Sequence, residues 1–432
     1  MYYEHNIQGC FSENEAGSAL KKQVFEPYIE RARQFSHGLA KEYQAGKLPI
    51  LELAKSQVDI EALAPFVDHF QNSFDDVIIL GTGGSSLGGQ TFAALKGYGG
   101  SLAMVQPRLH FMDNIDPSTF DRLFAQVNPK RTGFIIISKS GSTAETLCQF
   151  VIVLERWKQH LTASEIKQHF LVITEPKLSP LVHLTDVEEI PRLEHPLAIG
   201  GRFSALSLVG LLPAMIAGVD PFKVREGAQS VIEHLFNSPA AEPLIGAALN
   251  VALLQEKNIR NTVLMPYVDC LNSFSFWFRQ LWAESLGKDG QGSTPLNALG
   301  TVDQHSQLQL YLDGPKDKMF TVIIQDHLQT GEKMPESLSR VEGLSYLASR
   351  TMGDLLDAEQ QAIIATLINR GCPTRVIRLK AVDEYAVGAL MMHFMLETML
   401  TAKFMGVNAF DQPAVEEGKI LTREFLKESA PL

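Results

Sequence analysis

Short apolar runs recur along the chain, each closed by Gly, Ser, Thr or Asp and followed by a stretch with helical spacing. "DVIILG" (76–81), "LHFMD" (109–113), "GFIIIS" (133–138) and "HFLVIT" (169–174) form a first set. After a break near "GVDPFK" (218–223), "NTVLMPY" (261–267), "MFTVIIQD" (319–326) and "TRVIRLK" (374–380) form a second. Uninterrupted apolar strands alternating with helices predict parallel sheets covered on both faces. Residues 1 to about 70 read as helical and amphipathic, as in "PILELAKSQVDIEALAPF". The expected fold is α/β: two doubly wound parallel-sheet domains with helical N- and C-terminal extensions. The expected boundaries are 1–55 for the N-terminal extension, 56–218 and 219–398 for the two α/β domains, and 399–432 for a helical tail. Only the strand-helix rhythm relates the two halves; no sequence repeat does.

The first apolar run exits into "GTGGSSLGGQT" (Gly81 to Thr91). Glycines there permit close backbone approach, and the next helix N-terminus offers free N–H groups to an anion. A dinucleotide fingerprint needs Gly where Ser86 stands, and a P-loop needs Lys-Ser/Thr after a closing Gly. Neither is present, so the loop by itself is either a tight strand-helix turn or a cradle. The third run exits into "SKSGSTAETL" (Ser138 to Leu147). Ser142 and Glu145 fit a capping box, with Ser142 as the cap. That leaves Ser138, Ser140 and Thr143 without a task. Short hydroxyls at a helix N-terminus suit the several acceptor oxygens of a phosphate, and Lys139 adds positive charge. Two such loops at neighbouring strand ends face one crevice, where open α/β sheets bind ligands.

Composition narrows the classes. The chain has 432 residues, room for two domains, and an ordinary apolar share of 45%. A net charge of −11 argues against a nucleic-acid partner but not against a small anionic ligand in a cleft. No uninterrupted apolar stretch reaches bilayer length, and "LSLVGLLPAMIAGV" is short and carries Pro213, so no membrane span is expected. The start lacks a basic region followed by an apolar one, so no secretory signal is expected. Cys10, Cys148, Cys270 and Cys372 lie far apart without metal-ligand or CxxC spacing, which suits reduced thiols in a cytoplasmic protein.

Four segments carry groups capable of chemistry. In "NSFSFWFRQLWAESLGKDG" (272–290), Phe274, Trp277, Leu281 and Glu284 fall on one helical face that ends near Gly287. A carboxylate extending an apolar stripe is costly unless paired or useful, and burial favours a general base. Gln280 stands one turn before Glu284. His305 lies in "GTVDQHSQLQLYLDG", where Leu308, Leu310 and Leu312 alternate as in a strand although the length also allows a helix. Arg202 follows two glycines in "GGRFSALS", and Lys419 sits in "FDQPAVEEGKIL". Taken singly, each also reads as a structural or solvated residue.

Together, "GTGGSSLGG", "SKSGSTAET", "GGRFSALS", "QLWAESLGK", "GTVDQHSQLQ" and "FDQPAVEEGK" resemble the glucose-6-phosphate isomerase family, in the family's order over most of the chain. The resemblance implies two sugar isomerase (SIS) domains and a homodimer. It implies no metal, no nucleotide and no other cofactor. It implies reversible conversion of glucose 6-phosphate to fructose 6-phosphate through a cis-enediol, in glycolysis and gluconeogenesis. By the same resemblance Glu284 moves the proton between C1 and C2. His305, contributed across the dimer interface, opens the sugar ring with Lys419 close by. Arg202 stabilises the enediolate. Ser138, the Lys139 backbone, Ser140 and Thr143 grip the phosphate, while Gly84, Ser85, Gln280 and Gln412 line the remaining hydroxyls. Several features depart from the long animal-type members: a shorter chain, Ser86 where many have Asp, and Gly141-Ser142 in place of Phe-Thr. A sugar-phosphate sensor is the rival reading; it needs the phosphate loops but not Glu284, His305, Arg202 and Lys419 together. Use of mannose 6-phosphate as well stays open.

Overall fold

The computed structural model describes residues 3–12, 17–98 and 106–428, so the outermost ends of both expected extensions, 1–2 and 429–432, lie outside the described residues. Among the described residues, ten strands form two five-stranded sheets. The first contains β2 (Asp76–Leu80), β3 (Arg108–Met112), β4 (Thr132–Ile137), β5 (Phe170–Thr174) and β6 (Arg192–Glu194), all parallel, in the order β3-β2-β4-β5-β6. The second contains β1 (Tyr3–Asn6), β7 (Asn261–Pro266), β8 (Thr294–Asn297), β9 (Lys318–Gln325) and β10 (Thr374–Leu379), in the order β1-β10-β9-β7-β8. Its β7–β10 strands are parallel, whereas β1 runs antiparallel to β10, with Tyr3 opposite Leu379.

The strands read as continuous apolar runs because both faces are buried. Ile78, Leu80, Phe134 and Ile136 enter the core beneath the Ala144–Trp157 helix. Their neighbours Val77, Ile79, Ile135 and Ile137 enter the opposite core, with the Ala64–Ser73 and Leu208–Ile216 helices. Three strands escape the apolar-run pattern. β6 and β8 are short edge strands, "RLE" and "TPLN", and β1 is "YEHN" with only Tyr3 fully buried. The stretch expected to be helical up to residue 70 therefore begins with a strand, whose backbone pairing with β10 outweighs its polar composition.

In each sheet the first parallel strand lies between the second and the third. The strand order reverses at that point, between β2 and β4 in one sheet and between β7 and β9 in the other. A crevice opens there beyond the strands' carboxyl ends. The loops after β2 and β4 are the two anion-holding candidates, and β7 feeds the Asn272–Leu286 helix that carries Glu284.

The Glu384–Met405 helix is long and apolar enough to cross a membrane by length and composition, but it is buried among the Pro221–Asn237, Glu242–Lys257 and Asn272–Leu286 helices. It carries a buried polar knot. Arg375 of β10 makes two hydrogen bonds of 2.8 Å to Glu397, and Asn250 and His393 add bonds of 2.8 and 2.9 Å. Tyr3 reaches His393 at 2.7 Å, which ties β1 into the same knot. Burial alone would raise the Glu397 pKa, yet Arg375 and His393 hold it at about 2. Its folded pKa lies below the unfolded one, so its stabilisation is present above the ordinary carboxylate range and is lost as pH falls towards 2. Glu397→Gln leaves a buried guanidinium short of its counter-ion. Chemical denaturation should show a loss of roughly 3–5 kcal/mol, and an unchanged midpoint would refute the knot's structural role.

Candidate active site

The loops at the first switch point meet through backbone. A Cβ on Gly84 would lie 2.2 Å from the Gly201 carbonyl carbon, so only glycine lets the loop after β2 touch the "GGRFS" turn. Gly83 abuts the Gln280 carboxamide in the same way, at 2.7 Å from a would-be Cβ. Ser85 closes the short turn, its N–H bonded to the Thr82 carbonyl. Ser86 is buried and accepts a hydrogen bond from Gln90 at 2.8 Å.

Arg202 enters on the Gly201–Leu206 turn of 3-10 helix and is almost fully buried. All five of its N–H donors are used. Nε bonds Ser285 Oγ at 2.9 Å. Nη1 bonds Gln412 Oε1 at 2.6 Å and Glu284 Oε2 at 3.2 Å. Nη2 bonds the carbonyls of Ala409 and Asp411 at 2.6 and 2.8 Å. Burial lowers the Arg202 pKa, and the Glu284 carboxylate works against that loss.

Glu284 is not the buried carboxylate expected from its apolar stripe. Phe274, Trp277 and Leu281 are buried, but the Glu284 side chain is 32% exposed while its partner Arg202 is 1% exposed. Near the helix end, Glu284 turns from the core into the crevice and receives a 3.0 Å bond from Gln280 Nε2. The other end of that carboxamide, Gln280 Oε1, is buried without a hydrogen-bond partner among the described residues. Gly287 occupies the helix's C-cap position as expected.

The hydroxyl loop after β4 follows a different plan from the capping box. The Ala144–Trp157 helix begins after Thr143, not Ser142, and no side chain caps it. Ser142 instead donates to Ser140 Oγ at 3.1 Å, and Ser138 Oγ donates to Thr143 Oγ1 at 3.1 Å. The sharp turn needs Gly141 at φ +63°, with Ser179 Oγ 2.1 Å from any Cβ there. The helix N-terminus thus stands without a side-chain cap beside two hydroxyl pairs. The Lys139 side chain runs the other way: Nζ donates to the Ile199 carbonyl at 2.9 Å and lies 3.5 Å from Glu175 Oε1. It ties the hydroxyl loop to the segment leading into Arg202.

Arg202, Glu284, Gln280 and Gln412 therefore share one hydrogen-bonded cluster, joined to Gly84 by packing and to the Ser138–Thr143 loop through Lys139. Two expected residues stand apart. His305 is exposed on the Val302–Ser306 helix and has no hydrogen bond or ion pair among the described residues. The alternating leucines after it are helical: Leu308 and Leu312 pack inward, and Leu310 is exposed. Lys419 lies on the exposed Glu416–Glu428 helix, paired with Glu416 at 2.7 Å. Sequence reasoning did not name Ser285, although it sits beside Glu284 in a run already singled out. The Ala409 and Asp411 carbonyls leave no side-chain signal. Among the described residues, no group of three or more His, Cys, Asp or Glu side chains could hold a metal.

A family model described as "Phosphoglucose isomerase" matches residues 63–431. A glucose-6-phosphate isomerase from Rubrobacter xylanophilus is 38% identical over 358 residues, covering 80% of this chain and 81% of that protein. A crystal structure of a hypothetical protein from Thermus thermophilus superposes with a TM-score of 0.83 at 34% identity, covering 98% and 99% of the two chains. The glucose-6-phosphate isomerase from Chlamydia trachomatis, at 22% identity and a TM-score of 0.73, covers 87% of this chain and 74% of its own, and shows the same fold.

The hydroxyl loop can be tested directly. Replacing both Ser140 and Thr143 with Ala removes two hydroxyls but no side-chain cap bond. Calorimetry should show 6-phosphogluconate binding at least about tenfold more weakly, each lost bond to a charged group being worth roughly 1.5–3 kcal/mol. Unchanged affinity would place the phosphate elsewhere.

Proposed function

The chain belongs to the phosphoglucose isomerase family, and from that premise we propose how its own residues interconvert glucose 6-phosphate and fructose 6-phosphate. The reaction is the reversible aldose-ketose isomerisation of glycolysis and gluconeogenesis, an intramolecular shift of hydrogen between C2 and C1. The observation that carries the residue assignments is the Arg202–Glu284 pair at 3.2 Å, with a buried cation and an accessible carboxylate at the mouth of one crevice.

The phosphate sits on the uncapped N-terminus of the Ala144–Trp157 helix, held by Ser138, Ser140, Thr143 and the Lys139 backbone. Neutral hydroxyls and N–H groups suit a dianion at a helix N-terminus, with the Glu145 carboxylate of the first turn exposed to solvent. Gly84, Ser85, Gln280 and Gln412 line the sugar, and the unpartnered Gln280 Oε1 is an acceptor ready for a substrate hydroxyl.

Glu284 takes the proton from C2 of the open-chain aldose. The C–H electron pair becomes the C1=C2 bond, and the carbonyl electrons move onto O1. Arg202 stabilises that oxyanion; a cation already desolvated and aimed costs no reorganisation at that moment. Glu284 then returns the proton to C1, and the O2 proton passes to O1 as the ketone forms at C2. His305 and Lys419 are assigned to ring opening by resemblance, with His305 supplied by the partner of a homodimer. Its exposure and lack of partners among the described residues support that reading, as do Ile420, Phe425 and Leu426, which stand exposed on the Lys419 helix. The proposed reaction uses no cofactor. A cytoplasmic setting suits the phosphorylated substrate and the four free cysteines.

Glu284→Gln keeps size and hydrogen bonding while removing the base. Turnover should fall ~10²–10⁴-fold with 6-phosphogluconate binding retained. Exchange of the C2 hydrogen with deuterated water should fall in parallel, and exchange at the wild-type rate would assign the base to another residue.

A further inference from the structure

Lys288 closes the Glu-Ser-x-Gly-Lys run, yet no step of the reaction above uses it. It follows the Asn272–Leu286 helix, and its side chain is 11% exposed. Its ammonium donates to the Ser285 carbonyl at 3.2 Å, donates to the Asn408 carbonyl, and pairs with Asp411 Oδ1 at 2.9 Å. Three donors meet three oxygens, one on the Glu284 helix and two on the Asn408–Asp411 segment. That segment supplies the Ala409 and Asp411 carbonyls and the Gln412 side chain to Arg202. Asn408 reinforces it from within, bonding Asp411 Oδ2 at 3.0 Å.

We infer that Lys288 is a positioning residue that fixes the aim of the Arg202 guanidinium by stapling the Asn408–Gln412 segment to the end of the Glu284 helix. Without the staple, Nη2 loses its fixed acceptors and the cation can rotate away from the developing oxyanion. Lys288 touches no substrate; it acts through the segment. The motif then has a task at each polar position: Glu284 as base, Ser285 on Arg202 Nε, and Lys288 on the segment holding Nη2. This inference rests on the assignment of Arg202 as the enediolate's cation.

The test compares two ligands that share the phosphate and differ at C1. 6-Phosphogluconate carries a carboxylate there, whereas glucitol 6-phosphate carries a neutral hydroxyl. Lys288→Met keeps an unbranched side chain one atom shorter and removes the charge. It should weaken 6-phosphogluconate about tenfold more than glucitol 6-phosphate, and kcat should fall roughly 10–100-fold with little change in KM. Asp411→Asn, an exposed change that spares the backbone carbonyl, should shift the ratio the same way by less and decides the matter if Lys288→Met does not fold. Equal weakening of both ligands, or of neither, overturns the inference. Arg202→Lys is the reference: a shifted ratio there with none in the staple variants overturns the staple alone. An unshifted ratio in Arg202→Lys overturns both the staple and the assignment of the cation.

Discussion

A buried guanidinium is the constraint on which the rest of the site depends. Removing one partner from a buried ion pair costs roughly 3–5 kcal/mol, so Arg202 can occupy the interior only if every donor is met. Its five acceptors reach its own turn from two other stretches, the Glu284 helix and the Ala409–Gln412 segment after the Glu384–Met405 helix. Satisfying one side chain therefore fixes the mutual placement of three stretches that are remote in sequence. The Gly84–Gly201 contact adds the loop after β2, and Lys139 adds the hydroxyl loop.

The pair is asymmetric in a way that divides the labour. Arg202 is desolvated and held by rigid acceptors, so its field is strong and its position set before substrate arrives. Glu284 is partly exposed, as the proposed base needs to be in order to reach carbon-bound hydrogen. Nη2 is held by backbone and Nε by a buried serine, but both Nη1 partners are side chains. Nη1 is therefore the replaceable corner of the guanidinium. In the proposed mechanism the Gln412 carboxamide oxygen, at 2.6 Å, stands where the substrate oxyanion takes over.

Most of the sheet architecture was legible because buried parallel strands leave unbroken apolar runs. β1, β6 and β8 were not, since edge pairing is made by backbone and leaves little trace in side chains. The crevice could be anticipated from Gly-rich and Ser-rich strand exits, yet the capping box at Ser142 was a false lead. The chain turns one residue later because Gly141 takes positive φ and frees the hydroxyls to bond one another. Phe274, Trp277 and Leu281 placed Glu284 on the right helix face, but the stripe could not reveal that its last turn faces the crevice. His305 and Lys419 carry roles by resemblance alone, since neither touches the cluster within the protomer.

A crystal structure of the complex with 6-phosphogluconate tests most directly whether Arg202 Nη1 receives the oxyanion, because the C1 carboxylate mimics the enediolate's charge. The expected result is a carboxylate oxygen within hydrogen-bond distance of Nη1, the Gln412 carboxamide displaced, and the Ala409, Asp411 and Ser285 contacts retained. A complex in which Gln412 still occupies Nη1 and the carboxylate lies away from Arg202 would contradict it.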